Sequence, residues 1–252
     1  MTALLDAKGL SKSFGGVRAV RDVSFVISIG EITGILGPNG AGKTTLFDLL
    51  TGFTTADQGQ VHFNGKRLTG MTPDRIVNLG CARTFQLCRP FGGMNVVQNV
   101  MVGCLAPRVH GKKMPHCRAL RILEWVGLEG KASLQTHALS HGDLRRLEIA
   151  RALATEPRLL LLDEPFSGLG ASEAGQLAGL IRQLHGSHGL TVLMIEHRLR
   201  ELMQLASRVI VMNFGKIIAD GDPVSVVHQP LVVAAYIGTL EDEYASARRA
   251  EP

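Results

Sequence analysis

Gly37-Pro38-Asn39-Gly40-Ala41-Gly42-Lys43-Thr44-Thr45 carries the plainest chemistry in this 252-residue chain. It reads G-x-x-x-x-G-K-T between an apolar run, Ile32–Leu36, and a helix-like run, Leu46–Leu50, the setting a phosphate-binding loop requires. The glycines permit a tight turn whose backbone N–H groups point inward at phosphate oxygens, and the helix that follows adds partial positive charge. In such a loop Lys43 reaches the β- and γ-phosphates, Thr44 ligates Mg²⁺ and Thr45 places a hydroxyl near the α-phosphate.

Three further segments carry chemistry of the same kind. In Leu159-Leu160-Leu161-Leu162-Asp163-Glu164-Pro165, an unbroken apolar run reads as a strand buried on both faces of a parallel sheet. Unpaired charge is too costly in a core, so Asp163 and Glu164 must face a polar site or a cation. A second buried run, Thr191–Ile195, ends in Glu196-His197 and gives His197 a ligand role. The segment Ala82-Arg83-Thr84-Phe85-Gln86 is predicted as a strand whose terminal amide oxygen could complete the Mg²⁺ shell. Ligands of parallel α/β sheets sit at the carboxyl ends of the strands, so one cleft can collect all of these groups. Phosphoryl transfer asks for positioning and neutralised charge. Lys43 supplies positive field, Thr44, Gln86 and Asp163 hold Mg²⁺, Glu164 orients or deprotonates a water, and His197 hydrogen-bonds the γ-phosphate. Phe14, before Gly15-Gly16, reads either as a ring for a purine or as a core residue at a strand end.

These groups need elements to hold them. Residues 4–36 alternate in short runs that predict a β-hairpin leading into the central strand. Val61–Lys66 reads as a hairpin bending at Asn64-Gly65, and Pro73–Leu79 as a short helix. From Leu87 to Pro157 strand signals fade, and helical spacing predicts helices at Val96–Cys104, Ala119–Val126 and Asp143–Thr155, with Ala106–Pro115 an exposed loop. A helix over Ala171–His185, a hairpin from Arg208 to Ala219, and short helices at Pro223–Val227 and Leu231–Ile237 follow. The expected architecture is α/β: a P-loop core of mostly parallel sheet flanked by helices (1–86 and 158–240), with an N-terminal antiparallel β subdomain, an inserted α-helical subdomain (87–157) and a charged tail (241–252).

Composition narrows the class. Hydrophobic residues at 45% and charged residues at 19% are those of an ordinary globular chain. The net charge of +5 admits an anionic ligand or a membrane surface, but no basic run is dense enough to argue for nucleic acid. Asp6 and Lys8 interrupt any apolar core a signal peptide would need, and no apolar run is long enough to span a membrane, which predicts a cytoplasmic protein. Cys81, Cys88, Cys104 and Cys117 lack C-x-x-C spacing and read as reduced thiols.

Leu139-Ser140-His141-Gly142-Asp143 opens an amphipathic run and reads as a capped helix start, or as a second anion site built on Ser140 and Gly142. With it, the chain from Leu4 to about Leu240 resembles the ATP-binding subunits of ABC transporters, whose motifs occur here in the family's order and spacing. Arg83-Thr84-Phe85-Gln86, Arg146–Leu153, Ile195-Glu196-His197 and Ala235-Tyr236-Ile237-Gly238 resemble the subgroup serving branched-chain amino acid importers, with urea and short-amide importers close behind. The resemblance implies ATP and Mg²⁺ as cofactors and a pair of such chains packed head to tail. Each ATP would lie between Lys43 of one chain and Ser140 and Gly142 of the other. It also implies membrane permease subunits, indirectly a periplasmic solute-binding protein, and a peripheral place on the cytoplasmic face of the membrane. Three positions depart from the family pattern: His141 replaces a glycine, Asp143 a glutamine or glutamate, and Gly170 an Asp or Asn. A soluble ABC-type ATPase and a P-loop GTPase are the competing classes. The former usually carries two cassettes or a long coiled coil, and the latter an Asn-Lys-x-Asp motif, none of which is present. Export is the competing direction.

Overall fold

The computed structural model describes residues 2–109 and 114–236. The chain enters through a long hairpin, β1 (Ala3–Phe14) and β2 (Val17–Ser28), and reaches the central sheet with β3 (Ile32–Leu36). The phosphate-loop segment leads into α1 (Lys43–Leu50), and β4 (Gln58–Phe63) and β5 (Lys66–Arg67) then complete an antiparallel sheet in the order β2-β1-β4-β5. The β4–β5 bend falls at Asn64-Gly65, both with positive φ (49° and 77°), as the Asn-Gly pair predicts.

Next come α2 (Pro73–Leu79), β6 (Cys81–Arg83), α3 (Val96–Cys104), α4 (Pro115–Trp125) and α5 (His141–Leu153). The chain continues through β7 (Leu159–Asp163), α6 (Ala171–His188), β8 (Thr191–Ile195), α7 (Leu199–Leu205), the hairpin β9 (Arg208–Asn213) and β10 (Lys216–Gly221), and α8 (Pro223–Val227). The second sheet has the order β10-β9-β3-β8-β7-β6, parallel throughout except for the β9–β10 edge. The expected α/β class with a mostly parallel sheet and an antiparallel N-terminal sheet is therefore observed.

Strands β3, β7 and β8 are buried at every position. Successive side chains alternate between faces. Leu160, Leu162, Val192 and Met194 pack toward α3 to α8, while Leu159, Leu161, Leu193 and Ile195 pack on Leu46, Phe47 and Leu50 of α1, on Ile76 of α2 and on the N-terminal sheet.

The structure moves several boundaries. β6 ends at Arg83, three residues before Gln86, because the Phe85 N–H donates to the Glu148 carboxylate of α5 (2.7 Å) and the backbone leaves the sheet. α4 starts at Pro115, where proline suits a first helical turn, and buried Val109 belongs to the core side of the preceding segment. α6 runs on to His188 before Gly189 ends it in a left-handed conformation (φ 60°). The last described helix spans 230–236, so the end expected at Ile237 and the tail from 241 lie outside the described residues.

α5 begins at His141 because Ser140 caps it: the Ser140 hydroxyl accepts from the Asp143 N–H (3.2 Å), and the Asp143 carboxylate accepts from the Ser140 N–H (3.3 Å). Lys131 donates to the same carboxylate oxygen at 2.5 Å. Burial pushes the Asp143 carboxyl pKa up, but the hydrogen bonds from Lys131 and Ser140 outweigh it and hold the group below the ordinary aspartate range. A depressed carboxyl contributes stability that is full above its unfolded-state pKa and lost as pH falls through the folded one. The parent is thus expected to be more stable than Asp143→Asn at about pH 7, with the gap closing toward about pH 3, read by urea unfolding at both pH values.

Candidate nucleotide site

The loop from Gly37 to Gly42 is held at both ends by contacts that leave no room for a β-carbon on its first and last glycines. One added at Gly37 (φ 153°) would lie 2.2 Å from the Met212 carbonyl, and one at Gly42 (φ 98°) 2.2 Å from the Ala19 carbonyl. Pro38, Asn39, Gly40 and Ala41 form the turn between them, closed by the Ala41 N–H on the Pro38 carbonyl (3.2 Å). Gly42 caps α1, and Thr44 and Thr45 stand in its first turn, Thr44 exposed and Thr45 half-buried. Lys43 is buried, its ammonium donating to the carbonyls of Gly37 (2.7 Å) and Pro38 (2.9 Å). Burial lowers its pKa, and the carboxylates of Glu164 and Asp163 partly oppose that.

Asp163 ends β7 with its side chain only 5% exposed, and Arg83 of β6 donates to its Oδ2 at 2.6 Å. The other arm of that guanidinium reaches Asp48 of α1 at 2.5 Å, and the rings of Phe47, Phe53 and Phe85 lie within 6 Å of it. Burial pushes the Asp163 carboxyl pKa up, while Arg83 pulls it down. Sequence reading assigned Arg83 only to a family motif. Its partners lie 35 and 80 residues away, and no local spacing signals them.

Glu164 follows with φ 48°, a left-handed conformation rare for a side chain of its size. Gln86 donates through Nε2 to Glu164 Oε2 at 2.8 Å, and His197 Nδ1 lies 3.7 Å from the same oxygen, its side chain 52% exposed. Gln86 therefore sits past the strand end rather than on it, and it engages Glu164 directly. A cleft of about 540 Å³ is lined by Thr44, Gln86 and Asp163, the expected cation ligands, together with Arg83, Phe85 and Glu148. Among the described residues no group of three or more His, Cys, Asp or Glu could hold a metal alone. A hydroxyl, an amide oxygen and one carboxylate fit Mg²⁺ shared with phosphate oxygens, because this ion keeps few protein ligands.

Phe14 ends β1 half-exposed, with Lys12 5.4 Å from its ring centroid, so it is not a core residue. Ser140 and Gly142 lie elsewhere, in a cleft of about 230 Å³ lined also by Asp143, Arg146, Leu169 and Glu173, which shares no residue with the first. His141, in the same turn, faces Gly168, where a β-carbon would meet its ring at 2.7 Å. Gly170 precedes α6, and its N–H donates to Glu173 (3.2 Å).

Other residues that sequence reading passed over frame the site. Arg145 donates to the carbonyls of Phe85 and Ser167 (3.3 Å each), tying α5 to the segments around Gln86 and Glu164. Burial pushes the Tyr236 hydroxyl pKa up, and the Gly37 backbone partly opposes that. All four cysteines are free, and burial lifts the Cys81 thiol pKa to about 12 and that of Cys88 to about 11, which makes both poor nucleophiles.

Comparisons with known proteins place the chain in a family. The family model described as "ABC transporter" matches residues 20–167. The chain is 38% identical to the high-affinity branched-chain amino acid transport ATP-binding protein LivG of Salmonella typhimurium over 93% of its own length and 98% of the relative's. It is 37% identical to the corresponding protein BraF of Pseudomonas aeruginosa, over 93% and 98%. A solved ATP-binding cassette of an ABC transporter in its ADP conformation superposes with a TM-score of 0.86 at 33% identity, covering 94% of this chain and 100% of that one. The chain belongs to the family of ABC transporter ATP-binding cassettes.

Proposed function

We propose that this cassette hydrolyses ATP as one of a pair, at the cytoplasmic face of a membrane, to energise import of branched-chain amino acids through permease subunits. The observation that carries the reading is the division of groups between two clefts. The phosphate loop, Gln86, Asp163, Glu164 and His197 converge at the carboxyl ends of parallel strands, whereas Ser140 and Gly142 open a different cleft on the same chain. A second chain, this one or a related subunit, supplies the missing half to each site. The names of the relatives support the solute class, and a periplasmic binding protein would deliver that solute.

Lys43 and the loop N–H groups hold the β- and γ-phosphates, and Phe14 stacks on the adenine. Mg²⁺, held by Thr44, Gln86 and Asp163 when bound, neutralises charge on the β- and γ-phosphates. Glu164 accepts a proton as the water oxygen bonds to the γ-phosphorus. The bond from that phosphorus to the β–γ bridging oxygen breaks, leaving ADP and inorganic phosphate. His197 donates to a γ-phosphate oxygen, and Ser140 and Gly142 of the second chain hold the same phosphate from the opposite side.

Glu164→Gln is expected to bind MgATP, lose nearly all turnover and shift from monomer to dimer on size exclusion when MgATP is added. Full residual activity would remove Glu164 from its role, and a monomer in both conditions would argue against a pair of identical chains. His197→Ala is expected to slow hydrolysis by roughly 10²–10³, as for one lost transition-state donor, and a change below about twofold would make the histidine structural. In the source cells, deleting the gene should abolish uptake of labelled leucine, isoleucine and valine and spare that of urea and acetamide. The converse pattern would reassign the solute.

A further inference from the structure

Glu196 stands between the two segments that carry Glu164 and His197, and it is fully buried. Its Oε1 accepts from the Phe166 N–H at 2.9 Å, in the turn that follows Glu164. Its Oε2 accepts from the N–H groups of His197 (3.2 Å) and Arg198 (3.3 Å). A buried carboxylate is costly unless its oxygens are satisfied, and here both oxygens are spent on backbone donors of two different loops. Burial pushes the Glu196 carboxyl pKa up, and the N–H donors of Phe166, Arg198 and His197 partly oppose that. Arg198 adds a second tie between the same loops, donating to the Leu169 carbonyl at 2.6 Å. The backbone of β8 anchors the arrangement: the Glu196 N–H donates to Ile35 of β3 (3.2 Å), and Ile195 accepts from the Glu164 N–H (3.0 Å).

From this geometry we infer that Glu196 is a positioning residue for hydrolysis, fixing His197 against Glu164 by bridging the turn after Glu164 to the backbone of His197 and Arg198. The inference rests on the proposed roles of Glu164 and His197. Three convergent donors explain why the position needs an acid. A glutamine of the same shape would place an NH₂ group against either the Phe166 N–H or the His197–Arg198 pair, so one side of the bridge would open. The side-chain hydrogen bonds of Glu196 go to the turn after Glu164 and to the His197–Arg198 backbone rather than to the phosphate loop or α1.

The test is steady-state ATPase kinetics and nucleotide binding of Glu196→Gln, alone and combined with His197→Ala. Glu196→Gln is expected to lower kcat by roughly tenfold with KM and nucleotide affinity within twofold, since a positioning loss acts on the transition state. In the His197→Ala background the same change should cost less than twofold, because the pair it positions is already broken. An unchanged kcat, a parallel loss of nucleotide affinity, or a full tenfold further loss in the His197→Ala background would each overturn the inference. If Glu196→Gln fails to fold, Arg198→Met removes the second tie without exposing the buried acid. A kcat loss of about threefold with unchanged KM is then expected, and no loss would count against the bridge. Retained activity of Glu164→Gln would instead overturn the proposed chemistry itself, so the two failures are separable.

Discussion

Three adjacent parallel strands, buried along their whole length and with no charged position before their carboxyl ends, are the constraint on which the site depends. β3, β7 and β8 are buried on both faces along their whole length, so no charged side chain fits within them. Every charged group these segments carry is therefore displaced to their ends. Because the strands run in one direction, the carboxyl ends fall on one edge, and there the phosphate loop, Asp163-Glu164 and Glu196-His197 meet. The chemistry is concentrated by exclusion from the core as much as by attraction to a ligand.

That edge holds charges that only make sense together. Arg83 links Asp48 of α1 to Asp163 of β7, while Lys43, Glu164 and Asp163 act on one another across the loop. Removing one member of a buried pair leaves the other uncompensated, a loss usually worth about 3–5 kcal/mol. The aromatic rings around Arg83 shield it from water and also carry the link toward Phe85, one residue before Gln86. Through Arg145 and Glu148, α5 grips the same Phe85 and also Ser167 beyond Glu164. One helix thus bears Ser140 at its start and holds both loops of the other cleft along its length.

Much of this was legible in the sequence because it is written in short range. The glycine pattern of residues 37–45 and the leucines before Asp163 each declare their element within a few residues. The sheet class and the N-terminal hairpin follow from such patterns. Arg83 was different, for its partners are brought close only by the completed sheet. Glu148 lies in an amphipathic helix where a glutamate reads as solvent-facing, yet it is buried on the Phe85 N–H, and that bond makes β6 shorter than its composition predicts. Glu196 was read only as part of the Ile195-Glu196-His197 segment, because three backbone donors to one carboxylate leave no trace in residue type.

The backbone at Glu164 has a thermodynamic consequence. Its φ of 48° belongs to a region that glycine occupies freely and that strains a longer side chain, at a cost on the order of 1–3 kcal/mol. A chain selected for thermostability alone would place glycine there, and the folded state would gain by it. On the role proposed for Glu164, glutamate at this position trades stability for activity, since the sharp turn that costs the fold is the one that turns the carboxylate toward Gln86 and His197.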